Sequence, residues 1–107
     1  MEANLGSQLA IAQSLKQGAR ILFQLRGREC QLRELGGELI AHSSICPHLL
    51  GPLVDVDIST GRLCCPWHGY EFELGSGECV FPPEANYRLA SAPKLVTVDG
   101  NIIAWVE

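Results

Sequence analysis

At 107 residues the chain is long enough for one small domain and not two. Its 47% hydrophobic and 19% charged content predicts a chain that folds rather than stays disordered. A formal net charge of −4 argues against nucleic acid, whose phosphates favour basic surfaces.

The chain order reads strand after strand. Residues 9–12 give a short apolar start, and residues 14–18 look like a turn. The stretch 8–17 is the one candidate for a helical turn, with Gly18 closing it; no segment sustains a helical period over ten residues. In residues 19–25, Ile21, Phe23 and Leu25 recur at period two, as a half-buried strand requires. Residues 26–28 turn the chain. Residues 30–35 and 38–41 then flank Gly36-Gly37, a hairpin signal in which glycines supply positive φ.

Beyond His42 the character changes. Residues 43–52 are rich in Ser, Pro and Gly and read as a loop. Leu63-Cys64 begins a short strand, and residues 66–69 form a second loop. Residues 70–74 alternate apolar side chains with Glu71 and Glu73; a Gly-Ser-Gly turn leads into residues 78–81. Pro82-Pro83 ends that strand, since proline cannot continue a ladder. The tail, residues 95–98 and 102–106 around Asp99-Gly100-Asn101, is another hairpin. The expected architecture is all-β. Residues 8–42 and 84–107 pair into a base, and residues 43–83 form an inserted lobe.

Five cysteines, Cys30, Cys46, Cys64, Cys65 and Cys79, make an odd count with no regular framework, unlike a secreted disulfide scaffold. The first nine residues contain no Lys or Arg ahead of an apolar stretch, so no signal peptide is expected. No apolar run approaches the ~20 residues of a membrane helix. A soluble, cytoplasmic chain is the expectation.

The chemistry-bearing residues lie in the two loops. The first offers Cys46-Pro47-His48-Leu49 and the second Cys65-Pro66-Trp67-His68-Gly69, with sixteen residues between His48 and Cys65. Each loop gives one thiolate and one imidazole. The proline after each cysteine fixes φ and stiffens the approach. Zinc on the same four side chains is the alternative, since a Cys₂His₂ tetrahedron is ordinary zinc chemistry. Zinc sites, however, usually pair cysteine with cysteine and histidine with histidine, whereas each pair here is mixed.

The full string, with Gly51-Pro52-Leu53 after the first loop and the 70–72 strand after the second, resembles the Rieske family over about residues 42–83. The resemblance implies an antiparallel β-sandwich base with an inserted cluster-binding lobe over the single 1–107 domain. It also implies one [2Fe–2S] cluster, with Cys46 and Cys65 on the inner iron and His48 and His68 on the outer. Cys64 competes with Cys65. Adjacent strand residues face opposite sides, so one of the two can face the cluster, and Cys65 gives the family spacing. Cys64 is then expected to be a small buried hydrophobe, as are Cys30 and Cys79. His42 is expected to be a polar turn residue, and Trp67 either packs over the cluster or belongs to a docking patch.

Within the resemblance, high-potential relatives carry a Ser and a Tyr hydroxyl after the second loop and a disulfide joining the loops. Here Tyr70 and Phe72 stand at the hydroxyl positions, and Gly51 and Trp67 at the disulfide positions. The implied function is that of a low-potential Rieske-type ferredoxin, an electron carrier rather than an enzyme. It would stand between a flavin-dependent reductase and a terminal oxygenase, as a monomer without nucleic-acid or membrane partners. The acidic balance suits docking on a basic patch. A Rieske domain or small subunit of a larger oxygenase or nitrite-reductase-like complex is the second reading. A mononuclear oxygenase iron needs two further histidines and a carboxylate, and His42 is the one histidine left.

Overall fold

The structure, a computed structural model, describes residues 2–45, 53–54, 56–59, 61–66, 69–74, 76–89 and 92–106. Its elements run β1 (Glu2–Ser7), α1 (Gln8–Lys16), β2 (Ile21–Leu25), β3 (Arg28–Leu35), β4 (Glu38–Ser43), β5 (Ile58–Ser59), β6 (Arg62–Cys64), β7 (Glu71–Glu73), β8 (Cys79–Phe81), β9 (Lys94–Val98) and β10 (Asn101–Trp105). The strands form three sheets, ordered β1-β10-β9, β2-β3-β4 and β5-β6-β7-β8, with antiparallel pairing. The all-β expectation holds, with one short helix added. The chain divides into two compact units, Met1–Ala41 with Pro93–Glu107, and His42–Ala92.

In the first unit, two-residue turns set the hairpin registers. Asp99 and Gly100 take φ of 51° and 79°, which closes Val98 onto Asn101. Positive φ at both central residues matches the twist of the flanking strands, which is why Asp-Gly serves here and Gly-Gly serves between β3 and β4. The alternation expected in β2 is present: Ile21, Phe23 and Leu25 turn inward, while Leu22 and Gln24 are exposed. The core gathers Ile11 from α1, Leu32 and Ala41 from the β2-β3-β4 sheet and Ile102 from β10, with Leu5, Leu15 and Leu95 packed against them. The two sheets and the helix of this unit thus share one apolar core.

Three features depart from the sequence reading. β1 was not expected, because its Glu-Ala-Asn-Leu-Gly-Ser run has no strand alternation. Pairing with β10, from Glu2 opposite Trp105 to Ser7 opposite Asn101, makes it a strand. A bulge falls between Asn4 and Gly6, where the Gly6 N–H donates to Asn4 Oδ1 at 2.9 Å. α1 is a nine-residue helix rather than a helical turn, and its interior of Leu, Ala and Gln favours that state. Gly18 does close it, donating to the Leu15 carbonyl at 3.1 Å. The two-residue strand β5 has no assignment in the sequence; it exists through its pairing with β6.

The second unit is built on the β5-β6-β7-β8 sheet. Leu63 of β6 lies opposite Phe72 of β7, and both are fully buried. With Leu53, Val56, Cys65 and Leu89 they form a second apolar core. The 85–89 segment is clasped to the β7–β8 turn. Leu89 N–H donates to Gly77 O at 2.8 Å, Glu78 bridges Arg88, and Arg88 Nη1 donates to Ser76 O at 2.9 Å. Gly77 takes φ of 80°, and a Cβ there would overlap the Leu89 carbonyl.

Candidate metal centre

The second loop begins where β6 ends. Strand alternation sends Leu63 and Cys65 inward and leaves Cys64 on the other face. Cys65 is 1% exposed, set in the apolar core beside Leu63 and Phe72. Its N–H donates to the Tyr70 carbonyl at 2.7 Å, which ties off residues 66–69 as a closed loop. Gly69, at φ of 70°, makes the return. Cys64 is half-buried rather than the buried hydrophobe expected; its alternate face looks away from the core. Its thiol titrates above the ordinary range, chiefly through burial and further through the carboxylates of Glu71 and Asp57.

The first loop is tied off in the same way. Leu53 N–H donates to the Ser44 carbonyl at 2.7 Å, closing the stretch between them. Ser43 Oγ lies 3.3 Å from both the N–H and the carbonyl of Ile45, fixing the turn that leads to Cys46. His42 was expected in a polar turn; it is instead fully buried within β4, its Nδ1–H donating to the Ser43 carbonyl at 2.9 Å. A buried imidazole needs such a partner, and this one sits at the root of the loop.

The two loops are rooted in one place. Leu53, the residue that closes the first, and Cys65, which opens the second, belong to the same buried cluster. Above that cluster lies an aromatic group that the sequence reading missed in part. Tyr70 packs against Phe72 at 6.4 Å between ring centroids and edge-on against Tyr87 at 5.9 Å. Tyr87 sits far along the chain without a motif around it; the Gly77–Leu89 hydrogen bond anchors its segment beside the β7–β8 turn.

Of the four candidate ligands, the described residues include Cys65; Cys46, His48 and His68, together with Gly51 and Trp67, lie outside them. Among the described residues no three His, Cys, Asp or Glu side chains converge as a metal site. Cys30 is buried as expected, while Cys79 is half-buried, with Sγ donating to the carbonyls of Phe81 and Pro82. A buried thiol in an apolar cluster, Cys65, fits an iron–sulfur cluster, which needs thiolate ligands and low solvent access.

Comparison with known proteins agrees. The model of the Rieske [2Fe-2S] domain matches residues 7–97. The chain is 31% identical to Protein TIC 55, chloroplastic, of Arabidopsis thaliana, over 92% of its own length and 19% of that protein. It is 44% identical over 54 residues to the oxygenase component of dicamba O-demethylase from Stenotrophomonas maltophilia, covering 50% of this chain and 16% of the relative. It therefore spans less than a fifth of these curated relatives. The ferredoxin of carbazole 1,9a-dioxygenase from Nocardioides aromaticivorans IC177 shares the fold, with a TM-score of 0.66 at 19% identity, covering 100% of this chain and 99% of that one. A family match over most of the chain, together with this fold, places the protein in the Rieske [2Fe-2S] domain family, whose members bind one [2Fe–2S] cluster.

Proposed function

We propose that the protein is a Rieske-type ferredoxin, a one-electron carrier that takes electrons from a flavin-dependent reductase and passes them to a terminal oxygenase or similar enzyme. Cys46 and Cys65 would hold the inner iron of the cluster, and His48 and His68 the outer. The cluster would supply reversible one-electron transfer; the chain would supply the four ligands and the apolar wall around Cys65. The observation that carries this reading is the common root of the loops, with Cys65 buried and both loops tied off by backbone hydrogen bonds of 2.7 Å. The likeness of fold to a dioxygenase ferredoxin, over 100% of this chain and 99% of that one, supports the carrier reading. After the four ligands, one histidine remains in these 107 residues, so they hold no mononuclear iron site of their own.

Phe72 is fully buried and has no hydroxyl to donate to a cluster sulfur. With Tyr70 at the serine position and Gly51 and Trp67 at the disulfide positions, the potential falls at the low end of the Rieske range, about −150 mV. The purified protein is expected to be brown, to hold two irons per chain, and to give a rhombic EPR signal when reduced. A colourless protein with stoichiometric zinc overturns the reading, and a midpoint well above zero overturns the low-potential assignment.

The higher identity to an oxygenase component favours a second reading, a Rieske domain acting within a larger complex. Electron relay by the monomeric chain, from a flavin reductase to cytochrome c, selects the carrier; a chain that relays only within an assembly selects the subunit.

A further inference from the structure

The net charge is not spread over the molecule. Residues 42–92 hold six carboxylates, Asp55, Asp57, Glu71, Glu73, Glu78 and Glu84, against two arginines, Arg62 and Arg88. The rest of the chain holds six acidic and six basic side chains. The whole net charge of −4 thus belongs to the unit that carries both ligand loops. Arg88 does little to offset it beyond its own surroundings, being engaged with Ser76 O at 2.9 Å and with Glu78 at 3.7 Å.

The same unit exposes large apolar side chains beside the loops. Ile45, 45% exposed, directly precedes Cys46. Tyr87, 44% exposed, packs edge-on against Tyr70, two residues after His68. Tyr87 is not a loose side chain, because its neighbours Arg88 and Leu89 are clasped to residues 76–78. A rigid aromatic with low ordering cost is the kind of side chain that anchors an interface.

We infer that the 42–92 unit docks on a protein surface that is basic at its rim and apolar at its centre, with Ile45 and Tyr87 as the apolar anchors. This rests on the carrier reading and adds the chemistry of the partner. A uniformly acidic carrier would be drawn to a basic partner in any orientation. Segregation of the charge turns the cluster-bearing unit forward during approach, which shortens the search for a productive encounter. Steering of this kind raises association by about 10- to 1,000-fold at low salt and fades as the Debye length falls below ~10 Å.

The test uses the cluster-loaded full chain, reduced with dithionite and mixed by stopped flow with cytochrome c, a basic protein, and separately with ferricyanide, a small anion. Two triple variants carry equal charge changes. One is Asp57→Asn, Glu73→Gln and Glu84→Gln in the docking unit; the other is Glu34→Gln, Glu38→Gln and Asp99→Asn in the neutral unit. All six positions are exposed. The second-order rate with cytochrome c is expected to drop about ten-fold for the first triple and less than two-fold for the second, and to drop with salt in the parent. Tyr87→Ala is expected to slow the reaction at high salt as well, with the EPR signal unchanged. Equal effects of the two triples, or rates flat from low to high salt, overturn the inference while leaving the carrier reading intact. A chain that gives no electron to ferricyanide either overturns the carrier reading itself.

Discussion

Two neighbouring cysteines show how much rests on which way one side chain points. Leu63 and Cys65 face the apolar core while Cys64 faces out of it. Cys65→Ser is expected to abolish the brown colour and the EPR signal while the unit built on Ile11, Leu32, Ala41 and Ile102 stays folded, whereas Cys64→Ser keeps colour and signal and shifts stability by less than about 1 kcal/mol. A cluster lost in both variants, or in Cys64→Ser alone, would refute the assignment. That Cys64 and Cys65 face opposite sides was legible in the sequence, because adjacent strand residues alternate. His42 was not legible: a histidine at a strand end gives no sign of whether tertiary packing will cover it, and here it is fully buried. Cys30 carries a further prediction. Burial raises its thiol above the ordinary range, with the Arg28 charge opposing and Glu29 adding to the rise. The folded state holds the proton where the unfolded chain has released it. Its contribution to stability is therefore intact below the unfolded pKa of about 8.5 and is lost as pH climbs through the raised folded value. Chemical denaturation from pH 7 to 10 should show this loss, and Cys30→Ala should flatten it relative to the parent.

At the scale of elements, hairpins were the most legible part. Gly36-Gly37 and Asp99-Gly100 mark their turns because the required φ excludes most other residues. β1 and β5 were hidden because their own residues do not specify a strand; partners far along the chain do. The 85–89 clasp was hidden for the same reason, since it depends on Gly77 admitting the Leu89 carbonyl. Gly77→Ala places a Cβ against that carbonyl at a backbone angle that disfavours side chains. It should destabilise the protein by at least about 1–3 kcal/mol. It should also free Tyr87 from Tyr70, visible as a lower urea midpoint and a changed near-UV CD spectrum. Gly100→Ala, with φ of 79° and open space around it, carries the angular cost without the overlap and serves as the control.

Over the whole molecule, the division into two units predicts uneven dependence on the cluster. The first unit has its own core around Ile11, Leu32, Ala41 and Ile102. The second has short strands, and in the proposed assignment its two loops would hold the cluster, so metal binding there would be part of folding. Removing iron with a chelator should erase amide protection across residues 42–92 and leave β2, β3 and β10 protected, as read by hydrogen exchange with mass spectrometry. Uniform loss in both units would contradict this.

The pairing of β1 with β10 has a consequence for the order of synthesis. Glu2 finds its place opposite Trp105, nearly the full length of the chain away. On the ribosome, β1 waits for β10, its partner. Meanwhile β5 to β8 need only neighbours a few residues off and can pair as they emerge. Contacts between distant residues form slowly, and local ones fast. The loops that would hold the cluster are thus made before β1 and β10 can pair.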